Sequence, residues 1–265
     1  MRLFLPTIAL LSASLTLAGC ASAHNPNDPL EPINRSIYKF NDTVDKAVIK
    51  PVAQGYNAAM PSAGKTMLSN FFSNLDDVVV TANDLLQFKF VQGFSDGMRV
   101  LVNTTVGVFG LIDVASTGGL KKHNEDFGQT LGYWGVGNGP YLVLPVLGPS
   151  TLRDSAGLYV DGHPSPMYQI KHMRTRNQAY LLRGLNRRAE LLDAEKVLNE
   201  AMIDPYEFMR DAYLQHRQSL VYDGNPPRPK YEEEDDGGDA PPPAPAAPAP
   251  AQPVPQNSAA PVQQQ

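Results

Sequence analysis

Histidine, cysteine, serine and acidic side chains would carry bond-breaking chemistry in this 265-residue chain, and their spacing offers little of it. The five histidines, His24, His123, His163, His172 and His216, are dispersed. None forms the H-x-x-x-H pair that would put two zinc ligands on one helix face. His123 with Asp126, and Asp161 with His163, are the pairs close enough in sequence for acid–base or metal work, with ordinary loop or capping roles as the alternative. No G-x-S-x-G elbow exposes a nucleophile, and Gly107 and Gly110 lack the G-x-G-x-x-G spacing of a dinucleotide loop. The residues therefore point to no catalytic centre, no metal and no cofactor.

One reactive group remains, and its surroundings decide its chemistry. Cys20 is the single cysteine, so no disulfide can form within the chain. It ends a segment with Arg2 as a positive start, an apolar run from Leu3 to Leu17, and small residues in "LAGC", the pattern of a secretory signal. That ending resembles a bacterial lipobox, in which cleavage before Cys20 is followed by acylation. Two or more acyl chains, at ~0.8 kcal/mol per buried methylene, anchor a protein stably where one does not. Ala rather than Asp at residue 21 suggests carriage to the outer membrane. The chain thus divides into a signal peptide (1–19), a lipidated linker (20–27), a body (28–223) and a tail (224–265).

The elements that must position anything functional lie in the body. With 42% hydrophobic residues it can bury a core, and a formal charge of −5 without a long Lys/Arg cluster argues against nucleic acid as a partner. "LEPINRSIYKFNDTVDKAVIKPV" sets Ile33, Ile37, Phe40, Val44 and Val48 at helical spacing, with Asp28, Pro29 and Glu31 at cap, first-turn and capping-box positions. This stripe either packs on the core or lies along the membrane surface. "TMLSNFFSNLDDVVVTANDLLQF" repeats the pattern with Leu68, Phe71, Leu75, Val78, Ala82 and Leu85, placing Asn70, Asn74, Asp77 and Asp84 on other faces. Gly97, Gly107 and Gly110 interrupt the next apolar segment and need a reason, such as close helix approach or lipid exposure. Arg174 to Ala201 reads as a helix, and "DPYEFMRDAYLQHR" opens another with Asp204 as cap, Pro205 at its first position and Glu207 completing a capping box. No segment after the signal has the ~18 uninterrupted apolar residues of a spanning helix. From Gly224 the chain holds twelve of the 24 prolines and one aromatic, too little to fold, and its Ala-Pro part is either a solvated tail or an extended periplasmic tether.

"GNGPYLVLPVLGPS" is the exception to the helical pattern. Tyr141 to Leu147 is long enough for a buried strand, but Pro140, Pro145 and Pro149 argue against regular sheet pairing and against a continuous helix. Leu142, Val143, Leu144, Val146 and Leu147 would each gain about 1.5–3 kcal/mol on burial. They form either an irregular plug in the helical body or a kinked element dipping into a bilayer, the latter only where protein or a water-filled cavity satisfies the backbone.

Several blocks together resemble the MlaA (VacJ) family of outer-membrane lipoproteins: "DPLEPINRSIYKFN", "KPVAQGY", "LSNFFSNL", "NDLLQ", "LVNTTVGVFGLIDVAS", "DFGQTLGYWGVGNGPYLVLPVLGPSTLRD", "RAELLDAE" and "DPYEFMRDAYLQHR". The resemblance runs from Asp28 to about Arg217. It implies an all-α, ring-like single domain of amphipathic helices around a channel, embedded in the inner leaflet of the outer membrane. It also implies removal of phospholipids that have strayed to the outer leaflet, their transfer to a soluble periplasmic lipid carrier, and association with a trimeric porin. On that reading Asn41 and Asp42 border the channel, and Arg153 could meet a phosphate with Asp154 holding it, an ordinary ion pair being the alternative. Lys171 is a further wall candidate. Gly135, Gly137 and Gly139 would let the run containing Leu142, Leu144 and Leu147 act as a movable lip. The competing readings are an envelope-lipid hydrolase and a non-catalytic scaffold for porins.

Overall fold

The computed structural model describes residues 28–227, residue 202 excepted. The signal peptide, Cys20 with its linker, and the tail from 228 onward lie outside the described residues. The expected helical pattern is present throughout: helices dominate and the described residues hold a single two-stranded sheet.

Helix α1 (Glu31–Val44) runs through a π-helical turn at Asp45–Ile49 into α2 (Lys50–Ala59). The wide turn has a local cause. Pro51 cannot donate to the helical ladder and its ring crowds the carbonyl four residues back, at Ala47, which the π turn relieves. The expected cap at the start of α1 is not made. Leu30 occupies the cap position with no side-chain bond, Pro32 rather than Pro29 stands in the first turn, and Glu31 pairs with Arg35. Ile33, Phe40 and Val48 face outward while Ile37 packs inward, so the apolar stripe is not buried as a unit.

Helix α3 (Ser62–Leu86) turns back at residues 87–89 into α4 (Phe90–Thr105), and the two pack along their length. Of the three glycines, only Gly97 lies within α4. Gly107 sits just beyond its end, where a Cβ would stand 2.1 Å from the Ile112 carbonyl oxygen, so close backbone approach explains it. Short α5 (Val114–Thr117) and α6 (Phe127–Tyr133) are capped by Asp113 and Asp126.

Strands β1 (Tyr141–Leu144) and β2 (Gly148–Thr151) form an antiparallel hairpin that leads into α7 (Leu152–Gly162), capped by Thr151. The prolines do not prevent pairing, contrary to the expectation from sequence. Tyr141 and Val143 turn their polar backbone groups away from β2, onto the Asn34 side chain. Their opposite numbers Thr151 and Pro149 therefore occupy non-hydrogen-bonded positions, where a missing N–H costs no ladder bond. Pro145 falls in the connecting turn.

Helices α8 (Met173–Ala201) and α9 (Pro205–Val221) complete the body. Asp204 caps α9 by accepting from the Tyr206 and Glu207 backbones, as its sequence requires. The Glu207 side chain reaches Arg35 instead of closing the box.

Where α6 crosses α7, a Cβ at Gly157 would stand 2.4 Å from the Gly128 nitrogen and 2.8 Å from its Cα. Neither backbone can yield locally. Gly157→Ala is expected to cost at least about 2–3 kcal/mol as overpacking, read as a shifted denaturation midpoint with unchanged slope.

Candidate functional site

The described residues are built with their polarity reversed relative to a water-soluble helical protein. Twenty buried polar or charged residues stand against ten buried hydrophobic ones. On α4, Phe90, Phe94 and Leu101 share one face and point outward with Val91, which is 88% exposed. The opposite face carries Asp96, Arg99 and Asn103, all buried. On α3 it is Asn74, Asp77 and Asp84, expected on other faces than the packed one, that turn inward. Leu85, Leu86, Phe88, Val106, Val108 and Phe109 extend the outer apolar surface over both ends of the α3–α4 pair.

The buried polar groups form a continuous seam. Asp77 binds Lys122 and faces Arg99, whose guanidinium also donates to Ser116 Oγ at 2.9 Å, the Leu120 carbonyl at 2.6 Å and Asp113 at 3.1 Å. Asn74 donates to Thr104, Gln92 to Asp84, and His123 pairs with Asp96 at 2.8 Å. Gln87 donates to Glu125 and Thr130, and Thr130 in turn to Asn83. Along this seam Asn74 Oδ1 is buried without a hydrogen-bond partner, Asp77 Oδ2 and Arg99 Nε face each other at 3.5 Å, and burial together with the neighbouring Asp96 carboxyl pushes the Asp84 carboxyl up.

The hairpin is held from one side by two asparagines of α1. Asn34 donates to the Tyr141 carbonyl at 2.9 Å and accepts from the Val143 amide at 3.0 Å. Asn41, two turns further on, donates to the Leu144 carbonyl at 2.9 Å and accepts from Val146 in the turn at 2.7 Å. Below the sheet, Tyr141 and Val143 pack on Tyr206 with Ile37, Tyr38, Tyr213 and Leu214. Leu142 and Leu144 are half-buried, whereas Val146 and Leu147 at the tip are exposed.

The structure brings part of the expected set together here. Asn41 grips the hairpin tip, while Asp42 points elsewhere and pairs with Lys46 on the same helix. Arg153 is buried: Nε and Nη2 donate to Asp154 Oδ1 and Nη1 to the Val136 carbonyl. Asp154 also accepts from Arg217 and from the Tyr213 hydroxyl. Burial alone would push the Asp154 carboxyl up, but the Arg217 and Arg153 guanidiniums outweigh it and hold it below the usual range. Gly135 and Gly139 take left-handed backbone angles, Gly139 against Leu152; Gly137 does not. Lys171 is exposed just before α8, apart from this group.

The histidine pairs imagined from sequence do not form. His123 bonds Asp96, Asp126 caps α6 and binds Arg217, Asp161 accepts from Asn83 and the Phe127 amide, and His163 Nδ1 lies 3.0 Å from the Tyr159 carbonyl. Asn34, Tyr206 and Arg217 join this group only in the folded structure. The seven-residue Asn34–Asn41 spacing was a readable sign of a shared helix face.

The chain matches the model of the MlaA lipoprotein family over residues 26–220. It is 36% identical over 235 residues to the intermembrane phospholipid transport system lipoprotein MlaA of Escherichia coli K12, covering 84% of this chain and 91% of that protein. The chain belongs to the MlaA family.

The Haemophilus influenzae MlaA is 35% identical over 226 residues, covering 82% and 90% of the two chains. A solved structure from work on the structural basis for maintenance of bacterial outer membrane lipid asymmetry superposes with a TM-score of 0.65 at 35% identity, covering 73% of this chain and 98% of that one. The MlaA match takes in the hairpin, both asparagine clamps and the α3–α4 seam.

Proposed function

We propose that this protein is an outer-membrane lipoprotein, held by acyl chains on Cys20 in the leaflet facing the periplasm. It withdraws mislocalised phospholipid from the outer leaflet and passes it through an amphipathic passage to a soluble periplasmic carrier. The observation that carries this reading is the reversed polarity: an apolar exterior over a buried polar seam suits a body surrounded by lipid. No helix of the described residues is long and apolar enough to cross a membrane, so such a body would sit in the bilayer on many short apolar faces. The relatives' printed role in phospholipid transport supports the same substrate.

The physical task needs no bond to be broken. A phospholipid's headgroup must leave water to change leaflet, and a polar wall lets it do so while its tails remain in lipid. The polar faces of α3 and α4 are candidates for that wall. The hairpin is the movable lip: Asn41 fixes its tip, and Arg153 with Asp154 braces its root instead of reaching a phosphate directly. Asp42 and Lys171 would serve at the rim. A trimeric porin is the proposed lateral neighbour, checked by co-purification.

Outer-leaflet phospholipid in a deletion strain tests the proposal. It should rise for a transporter and stay unchanged for a scaffold, while release of fatty acid or lysolipid by the purified protein would indicate a hydrolase. Leu147→Asp probes the lip with little packing loss, because Leu147 is 69% exposed. Impaired clearance is expected with normal membrane levels of the protein, while Leu144→Asp, at a half-buried strand position, should impair clearance with some loss of stability as well. Normal clearance at normal protein level would remove the lip role.

A further inference from the structure

Asp84 and Asp96 are both fully buried, and neither has a strong cation for a partner. Among the described residues Lys89 pairs with Glu125 and Asp223, Lys122 with Asp77, and Arg99 with Asp77 and Asp113, whereas no Lys or Arg stands within ion-pair distance of Asp84 or Asp96. Asp84 lies in the last turn of α3, pressed on α4: a Cβ at Gly93 would stand 3.1 Å from the Asp84 Cβ, and Gln92 Nε2 donates to Asp84 Oδ1 at 2.8 Å. Asp96 follows Gly93 by one turn on the same face of α4. Its Oδ2 lies 2.8 Å from His123 Nδ1. Each carboxyl thus has one oxygen satisfied. The other two, Asp84 Oδ2 and Asp96 Oδ1, are buried without a donor.

Ionised carboxylates only accept hydrogen bonds, so two of them in contact away from water need a proton between them. The surroundings do not offer another solution. Glu125, held by Lys89, Gln87 and Gln92, adds negative charge, Asn83 is engaged by Asp161, and Arg217 is committed to Asp126 and Asp154. The described residues include no group of three or more His, Cys or acidic side chains arranged to hold a metal ion. Burial, the hydrogen-bonding Asp96 carboxyl and the Glu125 charge together push the Asp84 carboxyl up to about 7. The proton belongs on Asp84, because His123 already engages Asp96 while the other partner of Asp84 is the neutral Gln92 amide. We infer that Asp84 and Asp96 form a proton-binding site that clasps the turn end of the α3–α4 pair: one proton held between them joins the helices, and its departure sets two like charges against each other. The same end carries the exposed Leu85, Leu86, Phe88 and Phe90, so the site governs how firmly that apolar surface is held. The inference does not depend on what the protein transports.

Asp84→Asn is the neutral mimic of the protonated acid, keeping an acceptor for Gln92 and a donor for Asp96. Melts of the full chain and of this variant in detergent micelles are compared from about pH 4.5 to 8. A carboxyl raised in the folded state contributes stability that is whole below its ordinary value of 3.8 and is lost as pH rises through the folded value. The parent's unfolding constant relative to the variant's should therefore grow about tenfold per pH unit from about pH 4.5 to 6.5 and level off above about 7, leaving Asp84→Asn the more stable protein at about pH 8. Amide hydrogen exchange over residues 85–93, corrected for its intrinsic pH dependence, should quicken above about pH 7 in the parent and not in the variant. The infrared carbonyl band of protonated carboxyls should have a component that fades with a midpoint near 7 and is missing from Asp84→Asn. Asp96→Asn, which leaves Asp84 without its charged neighbour, should move that midpoint downward, and it serves in place of Asp84→Asn if the latter fails to fold. A ratio of unfolding constants that is flat with pH, exchange that does not respond, or no band component titrating above about pH 5 overturns the inference. So does stabilisation of the parent at about pH 8 by calcium or magnesium chloride that Asp84→Asn abolishes, because a metal cation and not a proton would then join the carboxyls.

Discussion

Arg217→Met should lower Tm by roughly 10–15 °C, since breaking a buried ion pair from one side costs about 3–5 kcal/mol and a domain this size loses about 2–4 °C per kcal/mol. The side chain is buried on α9 and uses every nitrogen. Nη1 and Nη2 donate to Asp126 at 2.5 and 2.8 Å, and Nε and Nη2 to Asp154 at 3.0 and 2.9 Å. It thereby joins α9 to the cap of α6 and the first turn of α7, behind the hairpin root. Arg217→Lys should recover little, because a single ammonium cannot form the two-sided fork. Acid dependence gives a second signature. Burial would raise the Asp126 carboxyl, but hydrogen bonds and charge from Arg217 bring it below the usual range, as at Asp154. Depressed carboxyls contribute stability that is present above their ordinary value of 3.8 and is lost as pH falls through the lower folded value. Without Arg217 the depression is reduced at both carboxyls, burial being opposed at Asp126 only by the Gln129 hydrogen bonds, so the variant has less to lose in acid and its deficit shrinks as pH falls through the ordinary carboxylate value. Subtracting variant from parent melts cancels groups such as Asp76, which burial pushes upward and which Arg217 does not influence; Asp161, pushed up by burial and held down in part by Arg217, moves with the pair. A deficit constant with pH would show that Arg217 acts through packing alone.

Charging the apolar exterior should have the largest effect on membrane association. With Cys20→Ser removing the attachment point, partitioning of the body into vesicles is expected to depend on the α3–α4 surface. Val91→Asp with Phe94→Asp places two carboxylates where each costs up to about 2.5–3.5 kcal/mol at the bilayer centre and less toward the interface. The pair should weaken partitioning about a thousandfold, since 1.4 kcal/mol is a factor of ten. Trp134 reports it directly. It is the single tryptophan, half-exposed, with Nε1 donating to the Leu86 carbonyl at the turn end of α3. Its emission should blue-shift with vesicles in the parent and stay unshifted in the double variant. Ile203→Asp, at a fully exposed apolar residue between α8 and α9, should leave the shift intact. Equal partitioning of parent and double variant would mean that α3–α4 does not enter lipid, and the reversed polarity would need another cause.

The sequence alone determined what depends on local chemistry. Asp204, Pro205 and the following helix were legible because a cap needs only its next three residues, and the helical character of α1, α3 and α8 followed from spacing. The family blocks carried the functional reading further than any single motif. Tertiary structure decided which side of each helix faces in. Periodicity separates the polar from the apolar face of α3 but is identical whether water or lipid lies outside, so Asp77 and Asp84 read as decoration and prove fully buried. It also decided the hairpin. A proline's cost depends on whether its N–H would have been bonded, and at Pro149 that was set by Asn34, on a helix more than a hundred residues earlier. Arg153 and Asp154 were visible as neighbours, but the charge that fixes their role comes from Arg217, 63 residues beyond Asp154. Local order was written in short-range spacing; the direction of burial and the pairing of distant charges arose only when the chain closed on itself, because both depend on what surrounds a residue and not on what precedes it.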